Sequence, residues 1–422
     1  MPLIEWLAMR WSSLCAAGLL LAAGFPNHAQ PGRTQARGSA TAQAKASATV
    51  QAKWLLGPFT RPGNAQPLIT ARPESIFTDP ILGKPVHWEA LHTFNPAAVV
   101  RDGEIYVLYR AEDDSGTMQI GMHTSRLGLA VSEDGVRFTR EAAPVFFPAK
   151  DSEQAREWPG GTEDPRIVEA PDGSYVITYT QWNRETYRVG IATSSDLHTW
   201  TKHGPAFGMV KWGGLKYKSA GIVTECVTKG RCVAAKIDGH YWMYWGEGEI
   251  HVATSDDLVH WTPVEGADGQ PKVLMRARPR RFDSGLPEVG PPPVVTKDGI
   301  VLVYNGKNAT GVNGKDAAGA NGKNAADVNG KNAASSDRDP ALAAGTYAVG
   351  QALFAADDPA KLVARTGKPF FQPKLSWEQS GQYAAGTTFA EGLVWFHDRW
   401  LLYYGCADSR VGVAMSGSAD SL

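Results

Sequence analysis

Two carboxylates and a guanidinium lie within four positions of the chain, in the stretch Gly160-Gly161-Thr162-Glu163-Asp164-Pro165-Arg166-Ile167. Pro165 lacks a backbone N–H and biases Asp164 away from helix, and the two glycines allow backbone angles that other residues avoid. The stretch therefore predicts a rigid bend that holds charged side chains at the edge of the apolar run 175–179. Such a bend suits proton transfer to a polar substrate. The alternative is a surface turn with a structural Asp–Arg pair.

The composition excludes some classes of partner. A formal net charge of −1 over 422 residues favours neither nucleic acid nor an anionic membrane. The 14 Trp, 13 Tyr and 14 Phe residues suit contacts with sugar rings, although they also fill β-sheet cores. No His or Cys residues have the ligand spacing of a zinc site. We expect no metal and no other cofactor.

The N-terminus has the pattern of an export signal. Arg10 precedes an apolar run over residues 14–25, and Asn27-His28-Ala29 offers a small-residue cleavage site. The run is too short to span a bilayer comfortably, and no later segment is long and apolar enough to do so. We predict a signal peptide at 1–29, a flexible Ala-, Gln-, Ser- and Thr-rich linker at 30–53, and a secreted or periplasmic protein.

Three cysteines follow the predicted signal. Cys226 and Cys232 flank a turn-like segment, and an oxidising compartment would let them close a hairpin disulfide. Two free thiols are the alternative. Cys406 is left over and is predicted to pack as a small hydrophobe.

Five short apolar strands that end in Tyr recur along the chain, and their last tyrosines are 70, 65, 60 and 100 residues apart. A second strand pattern follows each of them. Repetition of short strands at a regular period is typical of a β-propeller with one blade per repeat. We therefore predict an all-β fold, a five-bladed β-propeller over residues 54–422, because a β-sandwich explains the paired recurrence poorly. The tyrosine-ended strands are 105–109, 175–179, 241–244, 300–304 and 400–404, and the second strands are 129–132, 191–194, 252–255, 351–354 and 413–416.

The last, over-long step contains a low-complexity segment. Asn-Gly-Lys recurs there every eight residues, from Asn305-Gly306-Lys307 to Asn329-Gly330-Lys331. We predict an insertion over about residues 307–344 that is disordered. A calcium-binding repeat is the alternative, but each unit has at most one Asp.

A propeller gathers its polar functional residues on one face, around the central axis. Candidates follow the tyrosine-ended strands or lie on the bends that begin the blades. Such a ring of carboxylates, arginines and an Asn could hold sugar hydroxyls and cleave an acetal, because clustered carboxylates push one another's pKa values apart. For any single Glu, an exposed carboxylate paired with a nearby Lys or Arg is the alternative. The candidates are Asn95, Arg110, Asp164, Arg166, Glu225, Glu247, Glu288 and Asp408.

The Gly-Thr-Glu-Asp-Pro-Arg bend resembles the corresponding motif of glycoside hydrolase family 130, the mannoside phosphorylases and β-mannosidases on five-bladed propellers. The resemblance runs from about Thr93 to Ser416. It implies Asp164 as a proton donor that acts through a sugar hydroxyl, with inversion at the anomeric carbon. The other matching motifs are Asn95-Pro96-Ala97, Tyr109-Arg110-Ala111, Asp283-Ser284-Gly285-Leu286-Pro287-Glu288, Gly290-Pro291-Pro292-Pro293, Tyr403-Tyr404-Gly405-Cys406-Ala407-Asp408 and Val411-Gly412-Val413-Ala414.

The resemblance further implies that Asn95, Arg110 and Asp408 hold the sugar in the first subsite. We add Arg166 and Glu247 to this set as candidate sugar contacts. The expected partner is an oligosaccharide or glycoside, with no nucleic acid and no membrane span. The sequence leaves the oligomeric state open.

The choice between water and phosphate as nucleophile depends on Glu225 in this interpretation. Where the phosphorylases carry an arginine, this chain has Glu225, and an acidic residue repels phosphate but can deprotonate water. We therefore expect an exported, inverting glycoside hydrolase for β-linked mannosides or related glycosides, with Glu225 or Glu288 as base and Glu247 behind them.

Two alternatives remain open. Phosphorolysis is possible because Lys216, Lys218 and His240 could form an anion site. A propeller fold also serves non-catalytic carbohydrate binding.

Overall fold

Strands make up nearly all of the regular structure in this computed structural model, which describes residues 53–227, 230–310 and 335–417. One α-helix, α1 (Gln154–Glu157), and two 3-10 helices, Ser335–Asp337 and Ser376–Glu378, also occur there. The predicted signal peptide, nearly all of the predicted linker and the middle of the predicted insertion lie outside the described residues. A search of these residues for a helix long and apolar enough to cross a membrane finds none.

The strands are numbered in chain order, and most of them fall into five groups of antiparallel neighbours, blades I to V. They are β1 (Phe59–Thr60), β2 (Phe77–Asp79) and β3 (Lys84–Val86) before blade I; β4 (His92–Arg101), β5 (Glu104–Glu112), β6 (Ser125–Ser132) and β7 (Thr139–Arg140) in blade I; β8 (Gly161–Glu169), β9 (Tyr175–Trp182), β10 (Tyr187–Ser194) and β11 (Thr201–Pro205) in blade II; β12 (Ala220–Ile222), β13 (Thr224–Cys226), β14 (Cys232–Ala234), β15 (Lys236–Ile237), β16 (His240–Trp245), β17 (Glu249–Ser255), β18 (Thr262–Pro263) and β19 (Met275–Arg276) in blade III; β20 (Leu286–Val289), β21 (Val294–Thr296), β22 (Gly299–Lys307), β23 (Tyr347–Phe354) and β24 (Leu362–Arg365) in blade IV; and β25 (Thr388–Phe396), β26 (Arg399–Cys406) and β27 (Arg410–Ser416) in blade V.

Each blade begins at the axis and continues outwards. In blade II, for example, β8, β9, β10 and β11 pair in that order. The tyrosine-ended strands are therefore the second strand of each blade, and one further strand precedes each of them at the axis. The innermost strands escape an apolar-pattern search because residues such as Pro96 and Pro165 interrupt their alternation.

Five apolar clusters fill the gaps between neighbouring blades, including the gap between blades V and I. Because the long inner strands bury side chains on both faces of their blades, removal of this apolar area from water favours the ring as a whole. The prediction of a five-bladed β-propeller is confirmed. Representative pairs are Leu108 with Ile177 between I and II, Ile191 with Met243 between II and III, Tyr244 with Leu302 between III and IV, Val303 with Leu402 between IV and V, and Val107 with Leu401 between V and I.

Blade V is completed from the other end of the domain. β1 pairs antiparallel with β27, with Phe59 opposite Ser416, and supplies the outer strand that blade V lacks. A second contact pairs Ile69 with Val411. The ring is therefore closed by hydrogen bonds between the first and last strands.

The recurring tyrosines have a structural role that we call the blade clamp: a tyrosine of the second strand donates to a buried acid, which also binds a cation of the outer strand. In blade V, Tyr404 Oη donates to Glu378 Oε1 over 2.8 Å, and Arg61 Nε lies 2.6 Å from the same oxygen. A charge-assisted network of this kind satisfies a buried carboxylate fully. The other clamps are Tyr109–Glu89–Arg140, Tyr179–Glu157–Lys202 and Tyr304–Asp283–Arg365.

Blade III lacks the clamp, and it also differs from the other blades in the residue opposite its tyrosine. In the other four blades a glycine of the third strand lies opposite the tyrosine; at Gly412 a Cβ would lie 2.7 Å from Tyr404 Cζ. In blade III this position is Val252, opposite Tyr244. The Tyr244 hydroxyl donates instead to the Pro359 carbonyl of blade IV.

Both cysteine predictions are confirmed. Cys226 and Cys232 form a disulfide across the β13–β14 hairpin, with their Cα atoms 3.9 Å apart. Cys406 is a free, buried cysteine on β26.

The edges of the predicted insertion are ordered, which corrects its boundaries. The first Asn-Gly-Lys copy ends β22, and Asn308 is fully buried. The Asn308 amide donates to the carbonyls of Asp339, Leu342 and Ala343, and its oxygen accepts from the Asp339 N–H. Residues 307–310 and 335–344 therefore belong to the folded domain, and disorder stays a prediction for residues between them.

Candidate active site

The polar candidates meet at one end of the propeller, which we call the site face. In blade II, Gly161 at the start of β8 lies opposite Trp182 at the end of β9, so the innermost strand begins where the second strand ends. The same holds in blades I, IV and V. Residues at the start of an innermost strand and at the end of a second strand therefore surround one central hollow.

Three innermost strands have a β-bulge at the same place, and each bulge presents one polar residue. The bulged residues are Asn95 on β4, Asp164 on β8 and Glu391 on β25. Asn95 and Asp164 both have φ = 48°, a region that Asn and Asp tolerate better than other non-glycine residues. Because a bulge turns a side chain out of the normal alternation, it directs these groups towards the axis.

Asp164 is held by two neighbours and is 6% exposed. Its Oδ1 accepts from Asn95 Nδ2 over 2.7 Å and from Arg110 Nη1 over 3.1 Å. Burial alone would raise the pKa of this carboxyl. The charges of Arg110, Lys218 and Arg166, with the Asn95 hydrogen bond, more than offset burial and hold the pKa below its ordinary value. Asp164 is therefore ionised in the free protein.

Arg110 is shared among three carboxylates. Its Nη2 lies 2.6 Å from Glu112 Oε1 and 2.8 Å from Glu163 Oε1, in addition to the Asp164 contact. Burial raises the pKa of Glu163 to about 7 despite Arg110, and the charges of Asp164 and Glu112 add to the increase. Glu163 thus holds a proton far more readily than its neighbour Asp164.

Arg166 does not face the open hollow, in contrast to the prediction of a sugar contact. The side chain is 1% exposed. Its guanidinium donates to the carbonyls of Val289 (2.7 Å), Gly290 (3.1 Å) and Asp164 (3.0 Å), and Nη1 lies 3.0 Å from Glu391 Oε1. With its donors used in this way, Arg166 connects three blades internally.

Glu247 and Glu288 share one ammonium. Lys218 Nζ lies 3.4 Å from an oxygen of each, and Ser219 Oγ donates to Glu288 Oε1. The backbones of the two glutamates also bridge each other. Burial raises the pKa of Glu288 to about 7; Lys218 opposes the increase and the charge of Glu247 adds to it.

Asp408 and Lys307 complete the hollow. Asp408 follows β26, and burial raises its pKa to about 7, partly offset by Arg110. Lys307 lies at the end of β22, where burial lowers its pKa. Among the described contacts its ammonium faces aromatic rings, 5.4 Å from the Tyr347 centroid and 5.6 Å from that of Tyr383. Aromatic faces near polar groups suit a sugar ring.

Glu225 is not in the hollow, which corrects its prediction as a base. It is exposed on β13, whose partner β14 pairs beside Glu169 at the far end of β8 from Asp164. His240 likewise begins β16, is exposed and contacts Asp256, away from the site face. The structure thus brings Asn95, Arg110, Asp164, Glu247, Glu288 and Asp408 together with Lys218, and leaves Glu225 and His240 outside.

We did not select four residues of the hollow from the sequence: Glu112, Glu163, Lys307 and Glu391. Glu391 lies in the strand before a tyrosine-ended strand, as Asn95 does, and that position was a usable signal. Lys307 was hidden because it belongs to the first Asn-Gly-Lys copy. Over the part of the chain that the structure describes, no group of three or more His, Cys, Asp or Glu side chains is suited to a metal ion.

Comparison with known proteins identifies relatives along most of the chain. The sequence profile of glycoside hydrolase family 130, described as β-1,4-mannooligosaccharide phosphorylase, matches residues 64–337 and 339–420. The 1,2-β-oligomannan phosphorylase of Thermoanaerobacter sp. (strain X514) is 32% identical over 78% of this chain and 90% of its own length. The β-1,2-mannobiose phosphorylase of the same strain is 27% identical over 80% and 94%.

A solved structure is more similar still. It is described by the statement "The GH130 family of mannoside phosphorylases contains glycoside hydrolases that target beta-1,2 mannosidic linkages in Candida mannan". It is 48% identical, with a TM-score of 0.79, over 88% of this chain and 98% of its own.

These findings overturn the predicted hydrolase function. Both of the curated relatives described above and the family profile are named as phosphorylases. The prediction also lost its physical basis, because it relied on Glu225 replacing a phosphate-binding arginine and Glu225 lies outside the hollow. The chain is an enzyme that acts on glycosidic bonds of mannosides, and it belongs to glycoside hydrolase family 130.

Proposed function

We propose that this enzyme cleaves β-1,2-mannosidic bonds of oligosaccharides with inorganic phosphate, with inversion at the anomeric carbon. A phosphate oxygen attacks that carbon from the face opposite the leaving group, and the bond to the bridging oxygen breaks. The bridging oxygen takes a proton, so the products are α-mannose 1-phosphate and a shortened mannoside. We choose the β-1,2 linkage because both curated relatives carry that name, whereas the family profile is described for β-1,4.

In this proposal Asp164 supplies the proton, through a hydroxyl of the bound sugar. Asn95 and Asp408 hold that sugar from the neighbouring blades, and Arg110 orients Asp164. The rings of Tyr347 and Tyr383 form an aromatic wall beside it. Glu247 and Glu288 both contact Lys218 and set the charge where the nucleophile binds.

The observation that carries the proposal is the position of Lys218. Its ammonium lies between the two glutamates and is one of the charges that keep Asp164 ionised. A phosphate dianion bound at Lys218 would cancel that charge and raise the pKa of Asp164. Binding of the nucleophile would thereby convert Asp164 from a carboxylate into a proton donor.

The carboxylates impose a pH limit on this mechanism. Glu288 is mostly protonated below pH 7 and ionised above it, since burial raises its pKa to about 7. An ionised Glu288 repels phosphate. The affinity for phosphate is therefore expected to fall as the pH rises through about 7.

The test is product analysis on β-1,2-mannobiose and longer β-1,2-mannosides, with and without inorganic phosphate, with phosphorus NMR for the sugar phosphate. We expect mannose 1-phosphate only when phosphate is present. Release of free mannose at the same rate without phosphate would overturn the proposal.

Two lysine variants test the assigned phosphate position, one at the proposed site and one on the surface as a control. Lys218→Met should raise the KM for phosphate at least tenfold. Lys211→Met should not, because Lys211 is exposed and pairs with Glu265 on the surface. A KM for phosphate that is unchanged in Lys218→Met would contradict the assigned phosphate position.

We also propose that the protein is exported. The predicted signal peptide at 1–29 lies outside the described residues, so the proposal rests on the sequence. Expression of the full chain in a bacterial host, followed by fractionation and N-terminal sequencing, tests it. We expect mature protein outside the cytoplasm that begins near residue 30. Uncleaved protein confined to the cytoplasm would contradict it.

A further inference from the structure

A buried contact between an arginine and a glutamate links the two sides of the hollow. Arg166 of blade II contacts Glu391 of blade V over 3.0 Å, and we call this pair the axial strut. The Arg166 guanidinium of the strut donates hydrogen bonds to the Asp164 carbonyl. It also donates to the carbonyls of Val289 and Gly290, which directly follow Glu288. The strut therefore contacts the backbone that carries both functional carboxylates.

The Glu391 end of the strut is fixed by a third blade. Asn305 on β22 donates from Nδ2 to the Ala390 carbonyl over 3.0 Å and accepts the Ala390 N–H over 2.8 Å. Asn305 also lies opposite Glu288 in the β20–β22 pair. A continuous chain of contacts thus connects Asp164 to Glu288. It passes through Arg166, Glu391 and Asn305.

Glu391 is an unusual residue to bury for stability alone. It is 0% exposed, and neither carboxyl oxygen accepts a hydrogen bond from the described residues, since the Arg166 contact is close but poorly aligned. A buried polar group without hydrogen bonds is costly. Burial accordingly raises the pKa of Glu391 well above its ordinary value, against the influence of Arg166.

We propose that Arg166 and Glu391 are positioning residues, and that their contact sets the distance between Asp164 and Glu288 in which the sugar and its nucleophile must fit. The inference rests on the proposed function in that it concerns mannoside cleavage at Asp164. It holds for either nucleophile, because the strut acts on the geometry of the hollow. Misplacement of a catalytic group by about 1 Å costs on the order of 100-fold in rate.

The experiment compares variants of Glu391 that differ in side-chain length. Glu391→Asp shortens the side chain by one methylene and breaks the 3.0 Å contact, so kcat for β-1,2-mannobiose cleavage should fall at least tenfold with KM within about threefold. Glu391→Gln keeps the length and the oxygen and resembles the protonated acid, so it should retain kcat within about threefold. Glu391→Asp and Asn305→Ala should be non-additive, because both act on the same path.

Glu378→Asp is the matched control, since it shortens a buried acid that pairs with an arginine in the blade V clamp. It should lower the thermal unfolding midpoint and leave kcat per folded molecule unchanged. Wild-type kcat in folded Glu391→Asp, or a loss no larger than the loss of folded protein, would overturn the inference. An inactive wild-type enzyme would instead refute the proposed function, so the two failures are distinguishable.

Discussion

The blade clamps and the central hollow both bury carboxylates, but they treat them in opposite ways. In a clamp each acid has a tyrosine hydroxyl and at least one cation, as Glu378 has Tyr404 and Arg61. In the hollow and directly behind its wall, among the described residues, seven carboxylates share four cations. The carboxylates are Glu112, Glu163, Asp164, Glu247, Glu288, Glu391 and Asp408, and the cations are Arg110, Arg166, Lys218 and Lys307.

The difference separates stability from function within one fold. A satisfied clamp stabilises its blade, because removing either partner leaves a buried charge without compensation. Burial, reinforced by the charges of neighbouring acids, raises the pKa of Glu163, Glu288 and Asp408 to about 7, while Asp164 stays ionised. Such separated protonation states are what acid–base chemistry near neutral pH requires.

The largest expected effect is on activity, at the centre of the hollow. Asp164→Asn cannot donate a proton and should lose about 10²–10⁴-fold in kcat. The variant should still fold, with a thermal midpoint lowered less than that of a clamp variant. Steady-state kinetics on β-1,2-mannobiose and thermal unfolding of the same sample provide the measurement, and a fully active variant would remove Asp164 from the mechanism.

The largest expected effect on stability is in a clamp. Glu378→Ala leaves Arg61 and the Tyr404 hydroxyl without their partner, so the free energy of unfolding should fall by about 3–5 kcal/mol. Urea unfolding measures it, and kcat per folded molecule should stay at the wild-type value. If activity falls while stability does not, the distinction between clamp and hollow fails.

The third prediction uses pH. Burial raises the pKa of Glu288 from its ordinary value of 4.5 to about 7, so the folded state favours the protonated carboxyl. The contribution of Glu288 to the free energy of unfolding is therefore complete below pH 4.5 and is lost as the pH rises through 7. Glu288→Gln resembles the protonated form and should raise the free energy of unfolding by about 1–3 kcal/mol at pH 8, with little change at pH 4.5. Denaturant unfolding at both pH values measures this, and an equal gain at both would show that charge is not the cause.

The smallest expected effect compares two clamp positions. Tyr404→Phe removes a hydrogen bond to a buried carboxylate and should cost about 1.5–3 kcal/mol, whereas Tyr244→Phe removes one to the Pro359 carbonyl and should cost about 0.5–1.5 kcal/mol. Thermal or urea unfolding of the two variants checks the order. Equal losses would mean that blade III is stabilised as strongly as the clamped blades.

The fold was predictable because its signal is local and repeated. Each tyrosine-ended strand is apolar over a few residues, and the repeat fixes the number of blades. The clamps were also within reach: each acid precedes its tyrosine by 20, 22, 21 or 26 residues, and Val252 replaces the glycine of the other blades. The sequence alone does not show that the tyrosine, the acid and the cation of a clamp contact one another, because strand pairing brings the three residues together.

The site was predictable where a bulge has its own sequence signal. Asn95 and Asp164 each precede a proline in a strand, and both reach the hollow. Glu391 occupies the same kind of bulge without proline, so only the strand register reveals it. Glu225 was misplaced because the β13–β14 hairpin interrupts blade III and carries it to the opposite end of the fold.

The pairing of β1 with β27 has a consequence for how the chain reaches its native state. As the protein emerges from the ribosome, Phe59 appears early and must wait, with its strand edge unpaired, until Ser416 has been made. Arg61, which completes the last clamp, waits with it. The first four blades can pair once their own strands are available, but the ring can be sealed only when the final strand is available too, and the open edge is exposed to unwanted association until then.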